Sequence, residues 1–426
     1  MPTIFTKQVR DLPKPQGKRQ RRGFKFLTSW KNRFKFFTLV FVLLCLSFAA
    51  TLWYFWEEPL LSPLSSLTTF KFLNTITGEK PSQTKIVYGF LPYWNLNKVT
   101  IQPEVTHLAY FSLTIGPDGN IITKTEKNTA EPGYHKLGSD QLLELANQVD
   151  ANQGQVEIVL TQFDNNDIMS FITNETAHQN LLNSLDAILL AYPISGVNID
   201  IEYTGKITDE LRTKLATLMQ KLNRHLDQRY SHVQLSIDMY ASAASKRQLW
   251  DVSAIAKEVD YVIVMAYDFH RRSSTQAGPV APLFGGDDLW DSDINQHLKA
   301  FSEQMPRSKI LLGIPFYGYG WQTTSHDSQA HTYPDSGWTV SFQEAQEIIS
   351  QGEVLGVQEH WHETALAPYL TYTEEEENFI AYYENPRSIA YKLEYVRQLD
   401  LAGIAIWALG YEGSGRELWE VIEKLE

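Results

Sequence analysis

The chain has 426 residues, 43% of them hydrophobic and 20% charged; that is a globular composition with material for a large core, and it excludes a disordered or fibrous protein. A single cysteine excludes a disulfide framework and any cysteine-based zinc or iron–sulfur site. The net charge of −13 is divided: residues 1–35 hold eleven Lys and Arg against Asp11, a net +10, so the remainder carries −23, which argues against nucleic acid as its partner.

Residues 36–56, FFTLVFVLLCLSFAATLWYFW, contain no charge. As a helix rising 1.5 Å per residue they would cover roughly 30 Å, the thickness of a bilayer's hydrocarbon core. Trp53, Tyr54 and Trp56 gather at the far end as an interfacial belt does. A cleaved signal peptide is the alternative, but the long basic tail, the length of the apolar run and the lack of an Ala-x-Ala site favour an uncleaved signal-anchor. The basic run 14–35 also suits nucleic acid; beside a span, a positive-inside flank is the simpler cause. The expectation is a single-pass protein of the cell membrane: 1–35 a cytoplasmic tail, 36–56 a transmembrane helix, and the rest extracytoplasmic. Cys45 lies within the span, so the exported part has no thiol, as suits an oxidising compartment. Residues 57–83, rich in Pro, Ser and Thr, read as a linker.

From Lys85 onward, short β-branched runs alternate with helical periodicity. Strands are predicted at 86–91, 107–115, 156–163, 196–202, 233–240, 259–268, 309–318 and 403–410. Between them, Leu211, Leu215, Leu218 and Leu222 form one helical stripe, and Ile294, Leu298, Phe301 and Met305 another. Eight strands separated by helices predict an α/β fold, a (β/α)8 TIM barrel over 84–426. A doubly wound sheet is the rival, but no Gly-x-Gly-x-x-Gly follows the first strand, and the Tyr-Gly-Tyr-Gly run at 317–320 is too short for a phosphate loop. Residues 321–387 exceed one crossover. Ser341 with Glu344 resembles a capping box, and alternating runs at 357–363, 368–373 and 378–384 read as antiparallel strands. They predict a small α+β insertion between strands 7 and 8, with a solvated turn at 374–377.

Chemistry concentrates in the fourth strand, Ser195-Gly-Val-Asn-Ile-Asp-Ile-Glu-Tyr203. On a strand, Asn198, Asp200 and Glu202 share one face while Val197, Ile199 and Ile201 share the other. In a barrel the apolar set meets the helices, and the polar set enters the interior and climbs to the C-terminal mouth. Two carboxylates and an amide stacked there are costly without a use or a partner. A polar ladder that merely plugs the barrel is the bland alternative.

This segment resembles the Asp-Gly-x-Asp-x-Asp-x-Glu signature of glycoside hydrolase family 18, the chitinase and N-acetylglucosaminidase barrels. Met265-Ala-Tyr267-Asp268, Pro315-Phe-Tyr317-Gly318 and Gly403-Ile-Ala-Ile-Trp407 agree with it in order, and the similarity covers most of 85–426. The Gly-Val-Asn-Ile-Asp-x-Glu form is similar to the branch that includes bacterial spore-cortex and cell-wall glucosaminidases. The resemblance implies retaining, substrate-assisted hydrolysis, without cofactor or metal. Glu202 would be the general acid and base, Asp200 would orient the 2-acetamido group, and Tyr267 would donate to its carbonyl. Asp268, Met265 and Tyr317 would line the sugar pocket, and Trp407 would floor it. Asn198 and Ser195 stand where many chitinases have Asp, and Tyr319 where many have Arg. With an amide at 198, proton sharing between positions 198 and 200 is absent.

Three functions compete on these residues: a membrane-anchored hydrolase of N-acetylglucosamine-containing polysaccharide (peptidoglycan or a chitin-like polymer), a lectin-like glycan-binding barrel, and a surface scaffold. The presence of Glu202 favours the enzyme. Among weaker candidates, His360 and His362 share a strand face but have no third metal ligand nearby and read as exposed strand histidines. His270-Arg271-Arg272 suits an anionic glycan or plain solvent, and Tyr93, Trp94 and Phe111 suit core or sugar platform equally.

Overall fold

The computed structural model describes residues 85–425, together with Thr38 and Phe41. The tail 1–35, the linker 57–83 and the span 36–56, apart from those two residues, lie outside the described residues. Among the described residues no helix is long and apolar enough to cross a membrane.

The first seven barrel strands are β1 (Ile86–Pro92), β2 (His107–Thr114), β3 (Gln155–Gln162), β4 (Gly196–Ile201), β5 (Gln234–Tyr240), β6 (Tyr261–Met265) and β7 (Ile310–Pro315). Five further strands, β8 (Tyr317–Thr323), β9 (Trp338–Ser341), β10 (Gln358–His362), β11 (Ala367–Glu374) and β12 (Glu377–Tyr382), form an antiparallel sheet in the order β10-β11-β12-β8-β9. The last strand, β13 (Gly403–Trp407), pairs in parallel with β1 and β7 and closes the barrel.

The crossover helices follow the stripes in the sequence. Thr208 caps Asp209–Arg229 by accepting from the Leu211 N–H, and Asp209 and Glu210 complement the first turn. Leu211, Leu215, Leu218 and Leu222 are all buried, and each contributes about 1.5–3 kcal/mol. Ile294–Gln304 buries Ile294, Leu298 and Phe301. The last residue of that stripe, Met305, is buried just beyond the helix end.

The insertion departs from expectation at its start. The barrel strand stops at Pro315, and β8 opens the second sheet at Tyr317, four residues before the predicted boundary. Glycine makes the early reversal possible. A Cβ at Gly318 would lie 1.9 Å from the Tyr382 carbonyl oxygen, and one at Gly320 would lie 2.3 Å from the Trp338 ring. The alternation of Tyr317, Tyr319 and Trp321 with these glycines therefore belongs to a strand of the insertion. The sixth strand is also shorter than predicted: it runs from Tyr261 to Met265, the chain turns at once with the Ala266 N–H donating to the Val264 carbonyl, and Asp268 beyond it adopts a left-handed conformation with φ +63°. The capping box of Ser341 and Glu344 is present. The turn at 374–377 has Glu375 and Glu376 at positive φ, as a two-residue hairpin requires.

Inside the barrel, Tyr88, Phe90, Ala109, Phe111, Val159, Ile263, Leu311 and Ala405 form one apolar cluster. Against it stands a buried polar column from β3, β4 and β5: Glu157, Asn198, Asp200, Ser236 and Asp238. The polar face predicted for the fourth strand is thus one part of a three-strand arrangement.

Candidate active site

β4 buries Asn198 and Asp200, and Glu202 follows at its C-terminal end, half-buried, with its N–H donating to the Gln162 carbonyl. β5 supplies Ser236, Asp238 and Tyr240. Its register pairs Asn198 with Ser236 and Ile199 with Ile237, so the inward positions of the two strands sit abreast. Asn198 Nδ2 donates to Ser236 Oγ at 3.0 Å and to Asp238 Oδ1 at 2.8 Å. Beneath them, Tyr88 donates its hydroxyl to Glu157 Oε2 at 2.8 Å.

Met265 ends β6, and Tyr267 and Asp268 follow it. Asp268 Oδ1 accepts from the hydroxyls of Tyr317 at 2.5 Å and Tyr319 at 2.9 Å. The latter contact gives Tyr319 a place at the site that sequence reasoning left open. Trp407 ends β13 and meets Phe111 edge-on, ring centroids 4.7 Å apart. These groups come together around a cavity of about 360 Å³ lined by Asp200, Glu202, Met265, Tyr267, Asp268, Tyr317 and Trp407, with Phe111, Phe163, Asp238, Tyr240 and Arg271. That volume suits a small ligand. Of the eight predicted site residues, seven face this space. Asn198 lies beneath it and fixes Asp238. A second cavity of about 790 Å³, with Trp290, Ser242 and Gln248 among its lining, shares Tyr240, Met265, Tyr267, Asp268 and Arg271 with the first.

Burial sets the protonation states. It pushes the Glu202 carboxyl above its ordinary range against a hydrogen bond from Tyr240, with the Asp268 charge adding to the rise and Arg271 opposing it. Burial, then the charges of Asp238 and Glu202, hold Asp200 well above the usual carboxylate range. Burial does the same to Asp238, opposed by the Asn198 amide and helped by Glu202 and Glu157. Glu157 is pushed up to about 7, again chiefly by burial. Burial and the surrounding carboxylates raise the Tyr267 phenol well above its ordinary value, so it stays a hydrogen-bond donor. The arrangement therefore sets acids whose protonated form is favoured by burial beside a tyrosine donor and an aromatic wall.

Sequence reasoning missed Asp238, Glu157 and Tyr240. The signal was the alternation Ser236-x-Asp238-x-Tyr240 on an apolar strand, the same pattern that exposed the fourth strand. Among the weaker candidates, His270 engages the Pro279 carbonyl at 2.9 Å and Arg272 donates to the Gly337 carbonyl at 3.2 Å, leaving Arg271 to face both cavities. The expectation of exposed histidines at 360 and 362 fails. His360 stacks on Tyr369 of β11 and contacts Thr371 Oγ1 at 2.8 Å, and His362 packs against Trp290 from the segment after β6, so a ring covers each of them. Among the described residues no group of three or more His, Cys, Asp or Glu is placed to hold a metal ion. Trp94 is 44% exposed and edge-on to Phe111, so it is surface beside the cavity.

A closed parallel barrel whose C-terminal mouth holds acids, tyrosines and a tryptophan around one pocket has the build of a carbohydrate-active (β/α)8 protein. Residues 79–412 match the sequence model of Glycosyl hydrolases family 18, and the chain belongs to that family. It is 26% identical over 253 residues to a class V chitinase of Arabidopsis thaliana, a match spanning 57% of this chain and 64% of the relative's length. The fold is similar to that of a group IV chitinase of Ostrinia furnacalis solved with allosamidin: TM-score 0.69, 21% identity, 80% of this chain and 98% of the other covered. It is also similar to the spore cortex-lytic enzyme SleL of Bacillus megaterium: TM-score 0.62, 18% identity, 81% and 75% covered.

Proposed function

We propose that this chain is a membrane-anchored, extracytoplasmic glycoside hydrolase that cleaves β-1,4 bonds of N-acetylglucosamine-containing glycans, peptidoglycan or chitin-like, with retention and substrate assistance. One observation carries the reading: Glu202, its carboxyl raised above the ordinary range chiefly by burial, shares a single cavity with Asp200, Tyr267 and Trp407. Glu202 gives its proton to the glycosidic oxygen. Asp200 orients the acetamido N–H while the amide oxygen attacks the anomeric carbon, and the Tyr267 hydroxyl donates to that oxygen. Glu202 then takes a proton from the incoming water. Trp407 offers an apolar face to the pyranose. The anchor rests on the uncharged 36–56 run and its basic flank. Chitinases and a spore cortex-lytic enzyme among the relatives support the substrate class.

The test is digestion of chitooligosaccharides and of peptidoglycan by the full chain, followed by borohydride reduction and mass spectrometry of the new ends. The reading expects glucosaminitol ends, because the lactyl ether of muramic acid needs room beside Trp407, Tyr267 and Tyr317. Muramicitol ends alone, or rapid cleavage of a de-acetylated glycan, would contradict it.

A further inference from the structure

The reaction just described gives Asp238 no task, yet this residue is 3% exposed and lines the same cavity as Asp200. The register of β4 and β5 makes Asp200 and Asp238 the next inward positions beyond Asn198 and Ser236, on strands about 4.8 Å apart. Asn198 has used its amide hydrogens on Ser236 and Asp238. Its own buried Oδ1, and the buried Oδ1 of Asp200, receive no hydrogen bond. Among the described residues neither aspartate has an ion-pair partner, and Arg271, the one cation lining the cavity, acts on Asp268 and Glu202. Two buried carboxylates abreast, with no cation and with unfilled acceptors beside them, are satisfied by one proton held between them.

We propose that Asp238 is a positioning residue that shares one proton with Asp200, carrying it whenever Asp200 must be anionic beside the substrate's acetamido group. In that transfer one O–H bond breaks on Asp200 and one forms on Asp238, so the pair keeps a single negative charge throughout. Asp238 thereby takes, from the neighbouring strand, the role that the amide at 198 cannot fill. The directions of both carboxyls, raised by burial and by neighbouring acids, agree with a retained proton. The other titratable or charged groups around the pair are Tyr88 on β1, Glu157 on β3, Glu202 after β4, Tyr240 on β5, and Tyr267, Asp268 and Arg271 after β6. This inference rests on the glycosidase reading for its catalytic meaning.

The experiment is the pH profile of the full chain on chitotetraose for wild type, Asp238→Asn and the exchange Asn198→Asp with Asp238→Asn. The single variant should lower kcat about tenfold or more with KM within about threefold. It should also move the acidic limb to higher pH, because the amide N–H at 238 is a weaker donor to anionic Asp200 than a carboxylic O–H and cannot take up the proton. The exchange should return the limb and most of kcat. An unchanged kcat, a loss with the limb in place, or no rescue by the exchange would overturn the proposal. Infrared spectra with 13C-carboxyl aspartate read the pair without substrate. A protonated aspartate near pH 6 that vanishes in Asp238→Asn supports sharing, and its absence from wild type overturns it. An inactive wild type that shows this band would refute the glycosidase reading while leaving the shared proton established.

Discussion

On the side formed by β1, β2, β6, β7 and β13 the barrel interior is filled by Tyr88, Phe90, Phe111, Ile263, Leu311 and Ala405. On the side formed by β3, β4 and β5 the same inward positions hold Glu157, Asn198, Asp200, Ser236 and Asp238, with Val159 the apolar exception. The backbone alternation is identical, so the difference lies in side chains alone. The apolar half gains stability from every buried ring and methyl group. The polar half loses it, because burial penalises each charge and several oxygens lack donors. A fold that buries Asp200 and Asp238 in the wall of a pocket, with Glu157 beneath them, gives up stability that an apolar interior would keep. Substitutions in the two halves should therefore fail in opposite ways.

The largest separation is expected from Asp200→Asn. It should lower kcat on chitotetraose about 100- to 1,000-fold while leaving the melting temperature equal or higher, since it removes a buried charge without changing shape. A melting temperature that falls together with the activity would merge the two halves. Leu311→Ala, on the apolar side and fully buried, should do the reverse. It should cost about 2–5 kcal/mol in denaturant unfolding, with kcat per folded molecule within about threefold of wild type. The smallest effect belongs to Glu157. Its folded carboxyl lies at about 7 against an ordinary 4.5, so the folded state binds that proton more tightly than the unfolded one. The stability it contributes is full below about 4.5 and is lost as pH rises towards 7. Thermal melts of wild type should therefore fall between pH 4.5 and 7 by about 1–3 kcal/mol more than those of Glu157→Gln. Parallel curves would remove Glu157 from the set of strained acids.

Much of this contrast was legible in the chain, and what was hidden has a physical cause. Asn198, Asp200 and Glu202 stand at every second position of one apolar run, so a period of two exposes them without any partner. Asp238 obeys the same period, but its importance comes from lying abreast of Asp200, and cross-strand register is absent from a single strand's sequence. Glu157 is a lone acid on an otherwise apolar and neutral run and acquires meaning only through Tyr88 and Ser236. The early turn into β8 was missed because the apolar run 309–318 reads as one unbroken strand through Gly318, and nothing local marks Gly318 and Gly320 as points of close approach. Their use is close approach by Tyr382 and Trp338, which lie 64 and 18 residues further along the chain.

The claim that the polar half exists for proton transfer is tested most directly at Glu202. Turnover of chitotetraose by the full chain should fall about 100- to 10,000-fold in Glu202→Gln, with circular dichroism and calorimetric binding of the oligosaccharide close to wild type. Turnover within about tenfold of wild type in a folded, ligand-binding variant would show that the acid lies elsewhere and that the polar column is only a plug.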